Sequence, residues 1–259
     1  ASETMYDEGR SLNATPTPAG VRTARLVLDA QDQDVRARLA WESERAGTVQ
    51  ADLRTRVQQA DGAWAWPEDA PLTGTLRASL PGIGAWSFLA PPAWRVDGSL
   101  QADATLAGTR QAPRWNGSLA ADNLALRIPV EGVDLRDGRL RARLDGNRLQ
   151  LDEFVLHGGP ASRARIAGPS GNLSTVSSEA ARDGGTLTVR GDMQWAQGTP
   201  TASGIRMNLA AELKALRILV RSDRQISTSG QLQATMTDGQ LRLRGQLGID
   251  RGVIILPEY

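Results

Sequence analysis

The chain has 259 residues, of which 40% are hydrophobic and only 4% aromatic, and its 30 basic and 29 acidic residues leave a net charge of +1. This near-neutral balance excludes the concentrated basic face that nucleic-acid binding requires, so no nucleic-acid partner is predicted. The lack of cysteine excludes a disulfide, a thiolate metal site and a cysteine nucleophile, and no apolar run is long enough for a membrane-spanning helix.

Apolar and polar residues alternate at a period of two along most of the chain, which predicts strands rather than helices. After a polar, proline-containing lead-in over residues 1–20, the segments 24–30 and 35–41 predict a first strand pair around a Gln-Asp turn. In residues 47–57 the apolar side chains share one face and the charged side chains the other, as in a half-buried strand. A further strand is predicted over residues 73–80.

Two proline-bearing breaks separate these strands from the rest of the chain, at residues 63–71 and 81–94. One short helical turn is predicted in the second break, near residues 85–89. The two breaks contain Trp64, Trp66, Trp86 and Trp94. These indoles could gate a groove or touch a membrane interface, but burial at the end of a β core is the more usual use of tryptophan and is favoured here.

The central segment 117–168 repeats short alternating runs separated by turn signals. The signals are Gly132, Asp137-Gly138, Asp145-Gly146-Asn147 and Gly158-Gly159, and Asp-Gly and Gly-Asn pairs of this kind predict β-hairpins. The alternation changes phase between Ala121 and Leu124 and again between Leu151 and Phe154. Such shifts predict β-bulges that bend the sheet.

Alternation resumes after a polar insertion at about residues 169–185 and continues to the end of the chain. Strands are predicted over 186–195, 205–213, 226–236 and 241–249, with a turn at Asp250-Arg251-Gly252 before the last apolar residues. Residues 21–259 are therefore predicted to be a single elongated domain, and the chain is interpreted as a fragment of a longer protein.

Strands with one apolar face must bury that face, and the inward residues here are mainly small aliphatic side chains. We therefore predict an all-β fold: a long, curled, mostly antiparallel sheet folded over an apolar groove. The groove-lining positions, which would contact lipid or a protein strand, are Val49, Leu53, Leu76, Leu100, Ala102, Leu106, Leu119, Leu140, Leu144, Leu187, Val189, Leu209, Leu232, Leu241, Leu243 and Leu247.

No residue pattern indicates catalysis, so the chain is predicted not to be an enzyme and to need no cofactor or metal. His157 is the only histidine, and a metal site would need further ligands. The acidic pair Asp32 and Asp34 lies at a turn, where carboxylates usually hydrogen-bond local backbone. A serine nucleophile would need a G-x-S-x-G elbow, which the sequence lacks.

Three segments and the chain end, taken in order, resemble the C-terminal region of the TamB family, the inner-membrane component of the translocation and assembly module. They are TGTLRASLPGIGAW (73–86), the segment 96–129, VDLRDGRLRARLDGNRLQLDEFVLHGG (133–159) and GQLGIDRGVIILPE (245–258). The resemblance covers roughly residue 72 to the C-terminus. AsmA and the bridge-like lipid-transfer proteins are related to this family.

The resemblance implies a β-taco fold, a long sheet folded over an apolar interior. It implies a location in the periplasm of a Gram-negative bacterium, with an inner-membrane anchor in a segment not present here. It implies a TamA-type outer-membrane barrel protein as partner, and phospholipid acyl chains or nascent outer-membrane protein strands as clients. The implied roles are outer-membrane protein (autotransporter) assembly and phospholipid transfer between the two membranes.

Two other classes of protein remain as alternatives. A structural or adhesin-type β-solenoid passenger domain would have a filled core and a regular coil length, and the irregular spacing disfavours it. A sugar-processing β enzyme would need paired acids and exposed aromatics in one cleft, and the sequence offers no persuasive pair.

Overall fold

The structure used here is a computed structural model of the chain. It describes residues 21–60, 62–85, 93–159, 166–167, 173–174, 184–196, 204–220 and 224–254. The predicted lead-in over 1–20 and almost all of the predicted insertion at 169–185 lie outside the described residues. Of the helical turn predicted near 85–89, only Ala85 is described, and it lies in a 3₁₀ turn together with residues 83 and 84.

The alternating segments form β-strands, as expected where apolar and polar side chains must point to opposite faces. The strands are β1 (Val21–Gln31), β2 (Asp34–Ser43), β3 (Gly47–Arg56), β4 (Gln58–Ala60), β5 (Ala63–Ala65), β6 (Leu72–Leu80), β7 (Arg95–Gly108), β8 (Pro113–Ile128), β9 (Val133–Gly146), β10 (Arg148–Gly158), β11 (Ile166–Ala167), β12 (Leu173–Ser174), β13 (Thr186–Trp195), β14 (Ile205–Val220), β15 (Arg224–Thr237) and β16 (Gln240–Ile254).

One sheet contains 12 of these strands, in the order β1-β2-β3-β6-β7-β8-β9-β10-β13-β14-β15-β16. Its neighbours are antiparallel throughout and follow one another along the chain, while β4–β5 and β11–β12 are small separate hairpins. The sheet is open, with β1 and β16 at its two edges. The prediction of an all-β fold with a curled, antiparallel sheet is confirmed.

The register places apolar residues in rows that cross the sheet at right angles to the strands. The central row takes one residue from each strand of the sheet: Ala24, Trp41, Val49, Ala78, Ala102, Leu119, Ala142, Leu151, Gly191, Leu209, Ala234 and Leu243. The next row, called the methionine row, is Leu26, Leu39, Ala51, Leu76, Ala104, Gly117, Leu144, Leu149, Met193, Met207, Met236 and Leu241.

A third row lies on the other side of the central row and runs from β6 to β16. Its members are Leu80, Leu100, Ala121, Leu140, Phe154, Val189, Ala211, Leu232 and Gly245. No polar side chain interrupts any of the three rows, which together form the apolar face of the sheet. At about 4.8 Å between strands, a row of twelve strands is roughly 53 Å long.

A line of β-bulges, called here the crease, runs beside the third row. The register shifts between Asp97 and Ser99 in β7, and near Leu124 between β8 and β9. It shifts again after Leu151 in β10 and after Leu213 in β14. Bulges bend strands and increase their twist, so the crease turns the far ends of these strands toward the apolar face. The two bulges predicted from the sequence, near 121–124 and 151–154, are confirmed.

The folded-over ends pack against one another in a leucine cluster of Leu135, Leu156, Leu213 and Leu216. Here β9 contacts β14 directly, although β10 and β13 lie between them in the sheet. All four leucines are buried, and Leu216, at 2% exposed, is the largest fully buried side chain among the described residues. The apolar face is therefore closed at this corner of the sheet.

Backbone crossings hold the same corner together. The Gly158 amide donates to the Gly185 carbonyl at 3.1 Å, and the amide of Arg217 donates to the Gly184 carbonyl at 2.8 Å. The Arg217 guanidinium donates to the Gly159 carbonyl at 2.6 Å. A Cβ atom at Gly184 would overlap the carbonyl oxygen of Gly158. The Gly158-Gly159 pair, predicted as a turn, is therefore part of a close backbone crossing that admits no side chain.

Two predicted turns are wrong. Asp137-Gly138 lies inside β9, and Asp250-Arg251-Gly252 lies inside β16. Asp137 has a left-handed φ of 52° and sits in the crease opposite the register shift of β8, and the pairing of β15 with β16 skips Asp250. Both segments are bulges rather than turns, and at Asp137 the bulge needs the positive φ that Asp and Gly tolerate in tight turns as well.

Candidate functional site

All sixteen predicted groove positions lie on the apolar face. Twelve belong to the central, methionine and third rows: Val49, Leu76, Leu100, Ala102, Leu119, Leu140, Leu144, Val189, Leu209, Leu232, Leu241 and Leu243. Leu53 and Leu106 form a neighbouring row with Gly74 between them. Leu187 and Leu247 lie beyond the third row, where Leu187 pairs with Leu213 and Leu247 pairs with Gly230.

The exposure of this face changes along the sheet. In the middle, Ala102, Ala104 and Leu106 are buried by their neighbours in β6 and β8. At the edges the apolar residues are exposed: Leu26 of β1 is 64% accessible and Leu243 of β16 is 67% accessible. Between these limits most positions are half-buried. The face is thus a partly covered trough, neither a packed core nor an ordinary solvated surface.

Tryptophans stand at the rim where β3, β8 and β13 begin or end. Trp66 donates from Nε1 to Thr55 Oγ1 at 2.8 Å, and the guanidinium of Arg110 lies 5.2 Å from its ring centroid. Trp115 stands between Leu106 and Gly146, two residues along β8 from the methionine row, and Trp195 pairs with Ile205, two residues along β13 from that row.

The favoured prediction, that the indoles of the two breaks are buried, is wrong for the described ones. Trp64, Trp66 and Trp94 are 60%, 44% and 41% exposed; Trp86 lies outside the described residues. Trp64 lies in β5, which pairs with β4 and not with the large sheet, and Trp66 and Trp94 lie outside the described strands, so none of these three side chains belongs to a strand of the large sheet.

The opposite face of the sheet, called the outer face, is polar and carries cross-strand ion pairs. Arg36 contacts Asp52 with Nε 3.0 Å from Oδ2, and Arg143 contacts Asp152 with Nε 2.6 Å from Oδ2. The hydrogen bond from each arginine lowers the pKa of its aspartate below the ordinary value. Both aspartates are therefore ionised at neutral pH. The outer face is suited to water, and it leaves the apolar face as the candidate site for an apolar ligand.

A depression of about 850 Å³ also lies on the outer face of β13–β16. Its rim carries Arg190, Glu212, Lys214 and Arg244, and Glu212 and Lys214 form an ion pair at 3.4 Å. Charged and amide groups dominate this lining. Such a surface does not favour the binding of acyl chains, because each charged group that an acyl chain covered would have to be desolvated.

No cluster of side chains that could hold a metal ion is present among the residues that the structure describes. No group of three His, Asp or Glu side chains comes together there. His157 lies on β10 between Arg136 of β9 and Thr186 of β13, and Asp34 of β2 forms an ion pair with Arg56 of β3 at 3.0 Å. No helix of these residues has the length and apolar character needed to cross a bilayer.

Sequence reasoning did not identify two features of the apolar face. The first is its row structure, which in the central row alternates small and large residues from Ala102 to Leu243. The second is the direct neighbourhood of Met193, Met207 and Met236 on three adjacent strands. Pairing register decides both, and the spacing of residues within one strand contains no information about the partner strand.

Comparison with known proteins gives one match. Residues 177–259 match the family model described as the TamB C-terminal domain. The match covers β13–β16, which form one end of the sheet. It confirms the resemblance to the C-terminal region of the TamB family. No curated protein and no solved structure matches the chain.

Proposed function

From the match of residues 177–259 to the TamB C-terminal domain, we propose that this chain is a non-enzymatic module of the translocation and assembly machinery. Its client in this proposal is the acyl part of a phospholipid that moves between the inner and outer membranes. The chain works in the periplasm of a Gram-negative bacterium. Another part of the full-length protein anchors it in the inner membrane.

The observation that carries this proposal is the set of uninterrupted apolar rows. The central row and the methionine row have an apolar residue or glycine on every one of the 12 strands. An acyl chain moving along a row meets no charge and no unpaired polar group. A desolvated polar group would cost roughly 1–3 kcal/mol at each step on the scale of protein mutational data.

The exposure of the rows supports the same client. Half-buried aliphatic side chains gain about 25 cal/mol for every Å² that an acyl chain removes from water. A filled core would leave no such surface. The adhesin-type β-solenoid alternative requires a filled core, and exposed positions such as Leu26 and Leu243 disfavour it.

Crosslinking from the two faces of one strand tests the proposal. A photoreactive residue is placed at Leu209, in the central row, or at its neighbour Asn208, which is exposed on the outer face. After irradiation of living cells that contain the full-length protein, we expect phospholipid adducts from position 209 and none from position 208, measured by mass spectrometry. Equal labelling at both positions, or none at 209, would contradict the proposal.

A charge introduced into the row should stop transfer. We expect Leu209→Arg to abolish uptake of fluorescent phospholipid from phosphatidylethanolamine–phosphatidylglycerol vesicles, while Asn208→Arg keeps it. Both variants add the same side chain to the same strand, so a general effect of arginine on folding appears in both. Loss of uptake in the second variant would show that the row is not the determinant.

A second client is favoured by the edge strand β16. Its outward edge has no partner strand among the described residues, and Leu241, Leu243, Leu247 and Ile249 are all at least half exposed. An unpaired edge is a template for strand addition. We propose that β16 can also pair with a strand of a TamA-type outer-membrane barrel or of a nascent outer-membrane protein.

Disulfide scanning tests the second client, and the lack of cysteine provides a clean background. Single cysteines along β16, at positions 244–248, are combined with cysteines in the terminal strands of the barrel partner. Strand addition predicts disulfides whose positions advance residue by residue in one register. Ser118 of β8 is the matched control, because β7 and β9 already occupy both of its edges. Bonds formed equally from Ser118 would argue for random collision.

A further inference from the structure

Three methionines stand side by side on the apolar face. The chain has 4 methionines, and the three that the structure describes, Met193, Met207 and Met236, are direct cross-strand partners on β13, β14 and β15. Directly opposite residues of antiparallel strands have Cβ atoms about 4.5–5.5 Å apart. The three thioethers therefore form one continuous patch within the methionine row.

The patch is apolar and still reaches solvent. Leu149 and Leu241 flank it in the same row, and all three methionines are half-buried. A half-buried thioether can be oxidised to the sulfoxide, which converts an apolar side chain into a polar one. Such a change in an aliphatic row introduces a dipole where every neighbouring strand offers only hydrocarbon.

We propose that Met193, Met207 and Met236 form a methionine-oxidation site that closes the apolar face to its client. The oxidant belongs to the class of two-electron oxygen donors, for which hypochlorous acid is the test reagent. Each sulfur loses two electrons and gains the oxygen atom, while the chlorine is reduced to chloride and a proton is released. The consequence for lipid uptake rests on the proposed function; the oxidation itself does not.

The position of the patch explains why its oxidation would block the passage of an acyl chain. An acyl chain that leaves the methionine row at β13–β15 enters the central row, where Gly191, Leu209 and Ala234 stand beside the methionines. Small residues at two of these positions leave the longer methionine side chains prominent. Three sulfoxides on consecutive strands would thus face any chain that crosses these strands in the methionine row or in the central row beside it.

The experiment compares the purified chain with a triple variant, Met193→Leu, Met207→Leu and Met236→Leu. Leucine and methionine exchange usually preserves packing because their volumes are similar. Both proteins receive graded hypochlorous acid, and peptide mass spectrometry measures sulfoxide at each methionine. Uptake of fluorescent phosphatidylethanolamine from phosphatidylethanolamine–phosphatidylglycerol vesicles is measured in parallel, together with binding of the apolar dye N-phenylnaphthylamine.

We expect oxidation to lower uptake by the parent protein about tenfold or more, the size expected for one unpaired polar group in an apolar site. Relative to its own untreated sample, the leucine variant should lose no uptake at the same dose, and treatment with both methionine sulfoxide reductases should restore the uptake of the oxidised parent protein. The single variant Met207→Gln, which places a permanent polar group in the patch, should lose uptake without oxidant.

Three outcomes would overturn the proposal. The methionines could stay unmodified at doses that oxidise a methionine peptide, the oxidised parent protein could keep its uptake, or the leucine variant could lose uptake equally. If the untreated protein takes up no phospholipid, the proposed function fails on its own. Dye binding then tests the oxidation site. A decrease in dye binding on oxidation of the parent protein, but not of the leucine variant, would support the site, and dye binding that is unchanged by oxidation in the parent protein would reject it.

Discussion

The strands before the second proline-bearing break and those after it follow the same alternation of apolar and polar residues but build different structures. Strands β1, β2, β3 and β6 have 9 to 11 residues and pair without a register shift, apart from one at the start of β1. Strands β7, β8, β9, β14, β15 and β16 have 14 to 16 residues, and bulges interrupt them.

Strand length and bulges together explain the difference. A short regular strand can present one apolar face but cannot turn back over it. A longer strand with a bulge bends, and its far end then covers the apolar face of strands further along the sheet. The leucine cluster lies entirely in the bulged region. The N-terminal region leaves Leu26 and Leu28 exposed, so its apolar face is available and contributes little to stability.

The largest expected difference between the two regions is in the cost of removing a leucine. We expect Leu216→Ala, in the leucine cluster, to lower the free energy of unfolding by about 2–5 kcal/mol, since its side chain is fully buried. Leu26→Ala in β1 should change it by less than about 0.5 kcal/mol. Urea unfolding followed by circular dichroism measures both. Similar losses would mean that the N-terminal face is covered in solution.

The backbone crossing gives the next largest effect. We expect Gly184→Ala to cost about 1–3 kcal/mol, because the added methyl group meets the Gly158 carbonyl and the backbones must separate. Gly248→Ala on β16 is the matched control, since its nearest atom would be 3.9 Å away. If both variants unfold at the same urea concentration, the crossing does not hold the folded corner together.

The sequence predicts the strands and the apolar face well, because side-chain alternation is a local property. It predicts the two phase changes near Leu124 and Phe154 for the same reason. It does not distinguish a turn from a bulge: Asp137-Gly138 and Asp145-Gly146 look alike, and only the second ends a strand. The difference depends on whether the partner strand continues past the site, which is a long-range property.

The rows of the candidate site were predictable only in part. Each strand reveals which of its residues share a face, and all sixteen predicted positions follow from that. Which residue stands opposite which is decided by the hairpins and bulges, so the methionine patch was not predicted. The exposure of Trp64 and Trp94 was not predicted either, because it depends on proline-bearing segments that leave the sheet.

A smaller effect would test the crease itself. Asp137 holds a left-handed conformation with φ of 52°, which a β-branched residue adopts at a cost of about 1–2 kcal/mol. We expect Asp137→Val to destabilise the chain by that amount and Asp137→Gly to be neutral or stabilising. Thr75→Val, on the exposed side of the regular strand β6, should have no measurable effect. If the valine at 137 is tolerated equally, the bulge is not needed for the fold.

The smallest effect should be similar in both regions, because each of the two ion pairs is partly exposed on the outer face. Asp52 in β3 and Asp152 in β10 have pKa values lowered mainly by hydrogen bonds from Arg36 and Arg143. A lowered folded-state pKa stabilises the protein above the unfolded pKa, near 3.9, and this stabilisation disappears as the pH falls through the folded value.

We therefore expect Asp52→Asn and Asp152→Asn to lower the melting temperature slightly at pH 7 and to flatten its decline below about pH 4. High salt should reduce both effects, since exposed ion pairs are screened. Melting curves from pH 2 to pH 7 measure them. A decline of the melting temperature that stays steep in one variant only would show that the two ion pairs contribute differently to stability. The outer face would then differ between the two regions, as the apolar face does.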